Sequence, residues 1–484
     1  MTFSAFLAAW RFEWRLLRRD AAAWAVLAAI ATMSALAFFD GAERIAAQKA
    51  AIEDARRDET LRLDSLRKTL ADLDAGRVKG ETPPFRDPRN AVFVGGGSAA
   101  AVAALEPTPL AIVATGQSDL FPAALKVTSG TKDSFLFADE IENPAHLASG
   151  SIDLSFVLVF VFPLAILALC FDLSAGEREK GTLALTLASA ESPTAVLLGK
   201  LAARAGLPIL AMIAATLAGV FLLRGAEPLA SCAFTLLIAA IFAYGAFWAL
   251  LAAVVDSFGK SSAYNALALI AVWAGLTMIA PAAVNTLADA LYPAPSRSEM
   301  TLAARAAATD ADRERDAALV RYAEEHPEAA AAEMKLGDAK ERTIRRLAVL
   351  ETANARVEEV MARHEAQLAR QRALADQLSF LSPALLMYRS VADIAGAGDL
   401  RYAEFSDQLD DFHKRWRDFF WSRAHAGQSL TQADYAALPR FPAAAAEARV
   451  PVGVVSGLAG GVGLPALLLA VFAWRGLRRC KAAC

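Results

Sequence analysis

The sequence predicts an all-α polytopic membrane protein: six transmembrane helices carrying two large, mainly helical extracytoplasmic insertions. Three observations lead there. The 484 residues are 56% hydrophobic yet nearly balanced in charge at −3, so apolar and charged residues are sorted along the chain. Several stretches of about 20 residues are almost free of charge, the length a helix needs to cross a hydrocarbon core. Between them run long tracts rich in Arg, Glu, Asp and Ala, a pattern that one soluble core cannot share with the apolar stretches.

The spans read as Ala21–Phe39, Ile152–Phe171, Ala205–Leu223, Leu229–Val255, Ala263–Ala283 and Val450–Trp474. As domains they are residues 21–39, 151–171, 201–283 (three spans together) and 450–474. Lys and Arg fix the orientation, because loops on the cytoplasmic side retain them. One set of flanks carries Arg11, Arg15, Arg18, Arg19, Arg178, Lys180, Lys200, Arg204, Lys260 and the tail 475–484 with Arg475, Arg478, Arg479 and Lys481. The short loop on the other side offers Arg224 alone, beside Glu227. Both termini are therefore expected in the cytoplasm. The first span is longer than the apolar region of a cleaved signal and follows a structured segment, so cleavage is not expected.

In residues 1–20, Phe3, Phe6, Leu7, Trp10, Trp14 and Leu17 recur at helical spacing and face away from most of the arginines. Such a stripe predicts a helix lying in the membrane interface. The first insertion, 40–150, opens with 42–76, which has no Pro or Gly before Gly76; Ile45, Ile52, Leu63, Leu66, Leu70 and Leu73 form an approximate heptad. That predicts the first span continuing outward as a long helix. Beyond Lys79, Pro83, Pro84, Pro88 and Gly95–Gly97 announce irregular chain, with mixed short elements up to Gly150.

The second insertion, 284–449, has a longer seam: Leu347, Leu350, Asn354, Val357, Met361, His364, Leu368, Ala375 and Leu378, stopped by Ser382-Pro383. Residues 384–394 are apolar enough to rest on the membrane surface, and an aromatic-rich amphipathic segment follows at about 401–424. The seams at 45–73 and 347–378 each need a partner, which predicts that they pack on one another.

Cysteine supplies no framework, since 40–150 and 285–449 contain none. His413 and His425 lie among Asp410, Asp411 and Asp418, but no ligand pair has metal-site spacing. No metal ligand, catalytic residue or cofactor-binding residue is assigned. Gly259-Lys260-Ser261 lacks the earlier glycine of a phosphate loop and follows a span rather than a strand, so the chain has no ATP site of its own. Ionisable residues sit only near span ends (Asp153, Arg204, Asp256), which argues against a proton-coupled pump.

The most informative stretch is 172–200, DLSAGEREKGTLALTLASAESPTAVLLGK, placed by the charge rule in the cytoplasm. Gly176 ends the second span, Glu177–Lys180 start a short charged helix, Gly181-Thr182 turn it, and Ser192-Pro193 begin the helix that runs through Lys200 into the third span. In span six, Gly453, Gly457 and Gly461 put small residues on one face, allowing another helix to come close. Pro163, Pro208 and Pro281 require neighbours that restore their lost backbone bonds.

The loop resembles the signature of ABC-2-type exporter permeases, an E-x-E-x-G-T-L run, a Ser/Thr-Pro turn and then G-K, here Glu177, Glu179, Gly181, Thr182, Leu183, Ser192, Pro193, Gly199 and Lys200. The interfacial first helix and six spans fit the same family, in a subfamily with large helical extracytoplasmic domains. The resemblance implies a permease dimer, homo- or heteromeric, in the bacterial inner membrane. It implies that Gly176, Glu177, Arg178, Glu179, Gly181, Thr182, Pro193 and Lys200 form the coupling loop to a separate ATPase subunit, through which ATP and Mg would act. Membrane lipid and a periplasmic partner are the remaining partners it allows, and no nucleic acid is expected. The rival reading is an envelope scaffold or sensor whose coiled external helices bind a partner while the spans anchor it.

Overall fold

The structure, a computed structural model, describes residues 3–77, 83, 86–118, 122–130, 152–188, 192–293, 296–325, 339–442 and 452–480. Among them, six helices are long and apolar enough to cross a membrane: Ala21–Asp74, Leu154–Glu179, Thr194–Arg224, Cys232–Asp256, Ser262–Leu291 and Gly453–Arg475, called spans one to six below. The chain is an all-α multi-pass membrane protein. Spans two and four form its centre, with 67% and 56% of their apolar stretches buried inside the protein, against 17% for span five. The expected mixed elements over 131–151, the first residues of span six at 450–451 and the tail beyond Cys480 lie outside the described residues.

Prolines shape three of the spans. A proline removes one helical hydrogen bond and pushes on the carbonyl four residues earlier, and a π-type turn relieves the clash. Such turns occupy Val157–Val161, Gly275–Ile279 and Ala459–Gly463, shortly before Pro163, Pro281 and Pro465. Neighbouring side chains take up two of the nearby carbonyls. The Tyr244 hydroxyl donates to Val159 O at 3.3 Å, and Ser382 Oγ donates to Leu276 O at 2.6 Å. Pro208 sits inside Pro193–Arg224, which stays α-helical throughout.

Span one does not stop at the membrane: its helix runs unbroken from Ala21 to Asp74. Its outer half is covered by a two-stranded antiparallel ribbon, β1 (Ala101–Ala104) and β2 (Ala124–Val127), paired Ala101 to Val127 through Ala104 to Ala124. Ile52 packs with Val102 and Ala104. The second insertion folds as a hairpin in which Arg297–Arg313 and Arg315–Glu325 pack along the long helix Ala339–Leu378. There Val357 and Met361 of the seam meet Ala304 and Ala307. The two heptad seams therefore do not pair along their length as expected, because each is covered by a segment closer in sequence. They meet at one end only, where Leu63, Leu66 and Leu70 join Ile344 and Leu347 in a shared core.

That core is built on the aromatic helix Asp399–His425, whose Phe412, Trp416 and Phe420 are almost fully buried. Gly95 is required where Phe420 crosses it, since a Cβ there would lie 2.6 Å from the ring. The helix Pro383–Ile394 departs from expectation as well. Instead of lying on the lipid surface it docks into the end of the bundle, where Ala384, Met387, Val391 and Ile394 are buried in the same core as spans two and four. Segment 106–117 straps the two insertions to the spans. Arg44 of span one's helix donates to Ala111 O (3.0 Å), Arg401 to Glu106 O (2.6 Å) and Gln117 N to Ala397 O (2.7 Å).

Candidate functional site

The opposite end of the bundle, away from the insertions, holds the loop singled out by its sequence pattern. The knob helix Ala175–Glu179 ends the long helical run of span two, turns at Gly181 (φ +72°), and leads to a second short helix, Leu183–Ala188. The left-handed φ explains the glycine, since other residues are strained there. Thr182 N closes the turn by donating to Glu177 O at 2.9 Å.

Each charged residue of the knob holds a different element. Glu177 pairs with Lys200 of span three. Arg178 Nη2 donates to Lys260 O, in the turn between spans four and five, at 2.6 Å. Glu179 accepts from the backbone N of Ser262 at 2.7 Å and from its hydroxyl at 2.9 Å, at the first turn of span five. A carboxylate at a helix N-terminus satisfies donors that the helix leaves unpaired. The root of the knob is fixed from beneath by Asp256, 1% exposed at the end of span four. Asp256 accepts from Ser174 N (3.1 Å), Ser174 Oγ (2.5 Å), Ala175 N (3.2 Å) and Asn265 Nδ2 (3.1 Å). Asn265 Nδ2 also donates to Phe171 O at 3.1 Å. A buried charge is tolerated when it is hydrogen-bonded on this scale.

The N-terminal helix Phe3–Leu17 completes the site. It crosses span three at Gly199, where a Cβ would lie 2.6 Å from Phe6 O and 3.2 Å from Trp10 N. Next to the crossing sits Glu13, 2% exposed. Its carboxylate takes Arg204 Nε at 3.2 Å and lies 3.8 Å from Lys200 Nζ, while Arg204 Nη1 reaches Asp172 at 2.5 Å. The cluster thus has three carboxylates and two cations, one negative charge in excess. The helix only partly follows the interfacial expectation. Trp10, Trp14 and Leu17 pack against Ala23, Leu169 and Ala203, leaving Phe3, Phe12 and Leu16 exposed.

Glu177, Arg178, Glu179 and Lys200 thus converge on one junction, Gly176 packs against Asp172, and Pro193 stands as the first residue of the helix into span three. Glu179, Lys180, Gly181, Thr182, Ala184 and Leu185 are exposed, Leu185 by 74%. The span-six glycines lie far along the chain at the other end. Gly457 and Gly461 face Leu386 of the docked helix Pro383–Ile394, where added Cβ atoms would lie 3.4 and 2.4 Å from its methyls; nothing lies near Gly453. The close neighbour at this end of the glycine face is therefore a surface-inserted helix of the second insertion.

Glu13, Asp172 and Ser174 have no role in the sequence reading, and Asp256 enters it only as a span-end charge. Glu13 carried a signal: it is an acid spaced between Trp10 and Leu17 on the apolar side of an amphipathic helix. His413 and His425 take packing roles, the former with Nε2 2.9 Å from Gly130 O and the latter against Tyr322.

Residues 297–444 match a family model described as "Domain of unknown function (DUF3526)". The match covers the second insertion and none of the six spans. No curated protein and no solved structure matches the chain.

Proposed function

We propose that this chain is the transmembrane permease subunit of an ATP-driven exporter of the ABC-2 type in a bacterial inner membrane. Its termini and the 172–200 loop would face the cytoplasm, and both insertions the far side. The observation that carries the reading is the anchoring of the knob. Glu177, Arg178 and Glu179 are tied to span three, the four–five turn and span five, and Asp256 holds the knob's root. A push on a helix bound this way cannot be absorbed locally, because every anchor is the end of a span. It must tilt those ends together, along with the N-terminal helix clamped to span three by Glu13 and Gly199. The exposed residues Lys180, Gly181, Thr182, Ala184 and Leu185 are the part left for an ATPase subunit to press, with Leu185, 74% exposed, as the apolar contact. In this reading a second permease copy completes the pathway, and the ATPase subunit holds the nucleotide.

The test is purification of the full-length chain with its bound proteins. An ATPase subunit should copurify, and Leu185→Glu should release it while insertion and expression stay unchanged. Retention of the ATPase by Leu185→Glu contradicts the assigned contact. Recovery only of partners bound to the insertions, with no ATPase, favours the anchored-scaffold alternative.

A further inference from the structure

At the insertion end a cavity of about 590 Å³ lies between the docked helix Pro383–Ile394, the start of the aromatic helix and the first turns of span six. Its walls differ in character. One side is apolar: Leu386, Leu400, Gly453, Val454 and Gly457. The other carries Asp376, Asp393 and Asp399 with Arg372 and Arg389, again one carboxylate in excess. Arg389 is already engaged, paired with Asp376 and 3.9 Å from Asp399, and Asp399 also takes Gln117 Nε2. The Asp393 carboxylate accepts no hydrogen bond from a described residue, while its backbone O takes Gly396 N at 3.0 Å. Its carboxylate is held by shape instead, since a Cβ on Gly398 would lie 1.8 Å from Oδ1.

We infer that this cavity binds an amphiphile with a primary ammonium head, the ammonium seated on Asp393 and the apolar stem lying along the Gly453–Gly457 groove. Charge complementarity selects the head. The excess carboxylate lacks a hydrogen-bond donor among the described residues, and an ammonium brings three donors and one positive charge. The stem is selected by the glycines: the two leave a trough on span six, and around Gly453 there is open space. The groups facing Asp393 set its titration. Burial, Asp399 on the aromatic helix and Asp376 on the long helix push its carboxyl up to about 6, against Arg389 on its own helix; Arg372 lines the same cavity, and span six contributes no charge. Binding therefore strengthens as pH rises through about 6. The site stands apart from the ATPase-facing loop and is tested without it.

The probe is a diazirine-bearing dodecylamine, photolysed with the full-length chain in detergent micelles and mapped by peptide mass spectrometry. Label is expected on peptides containing Leu386, Leu400 and Gly457, competed by dodecylamine but not by dodecanol, and rising from about pH 5 to about pH 7. Asp393→Asn should lower labelling by about tenfold or more, the loss of one charge-assisted contact. Gly453→Leu, which clashes with nothing, should fill the groove with a similar loss. Competition by phosphatidylethanolamine would identify the head as a lipid's, and competition by free alkylamine alone would make it a soluble amphiphile. Equal competition by dodecanol, or full labelling of both variants, overturns the assignment.

Discussion

Replacing Lys200 by Met should damage the protein far more than replacing Glu13 by Gln, although the two side chains belong to one cluster. Both are nearly inaccessible, with side chains 4% and 3% exposed. The difference lies in what each substitution leaves behind. Lys200→Met leaves Glu13, Glu177 and Asp172 with Arg204 alone, so a cluster with one excess negative charge acquires two. Uncompensated burial of that kind costs about 3–5 kcal/mol. Glu13→Gln leaves Lys200 with Glu177 and Arg204 with Asp172, a neutral set, and keeps an acceptor near Arg204. Its cost is the weakening of a charge-assisted hydrogen bond, about 1–2 kcal/mol. The assay is thermal unfolding in detergent, with the double variant closing a cycle; residues this close should couple by about 0.5–3 kcal/mol. Trypsin gives a local reading, because a released N-terminal helix can unwind and be cut at Arg11 and Arg15, whose side chains are exposed but held in the helix. Equal small losses, or a Glu13→Gln loss larger than that of Lys200→Met, would refute the charge count.

Other substitutions probe the remaining contacts. Gly199→Val should lift the N-terminal helix off span three, seen as faster tryptic cleavage of that helix with the other helices intact, because its Cβ would meet Phe6 O at 2.6 Å. Asp256→Ala strands the donors of Ser174, Ala175 and Asn265 and should destabilise by about 2 kcal/mol or more, read as increased hydrogen exchange confined to 172–182. Ser382→Ala removes the hydroxyl that serves Leu276 O and should cost about 1–3 kcal/mol in thermal unfolding, whereas Ser456→Ala, an exposed site in span six, should cost little. Asp393 makes a pH signature. With its carboxyl raised from 3.8 to about 6, the folded chain holds this proton more tightly than the unfolded one, so stability falls as pH rises across that window and is flat above it. Asp393→Asn should abolish that slope and leave the protein more stable than its parent near neutral pH.

The spans were legible because lipid imposes a local rule: a crossing helix must be apolar over most of its length, with its charges gathered towards its ends. The knob was legible for a related reason, since Gly181 and the Glu177–Lys180 charges mark a turn and a charged helix within a few residues. What holds the knob was not. Glu13 meets Arg204 across 191 residues, and Asp256 meets Ser174 across 82. No periodicity links such positions, and each alone reads as a span-end charge. The insertions failed in a second way. Both heptad seams were read correctly as buried faces, but a seam states only that something covers it. Arg297–Arg313 and the β-ribbon, both closer in the chain, cover them, so the seams meet at one end only. Residues 384–394 misled because a short apolar helix looks the same whether it rests on lipid or, as Met387 and Val391 do, inserts among spans.

Sidedness is the measurement closest to the central claim. Single cysteines at Leu185, 74% exposed on the loop, and at Asp418, with a 74% exposed side chain on the aromatic helix, would be placed in a background lacking Cys170, Cys232, Cys480 and Cys484. A membrane-impermeant maleimide applied from the periplasmic side should label position 418 at once and position 185 only in inside-out vesicles. Labelling of position 185 from the periplasmic side would put the knob beyond the reach of any cytoplasmic ATPase and contradict the account.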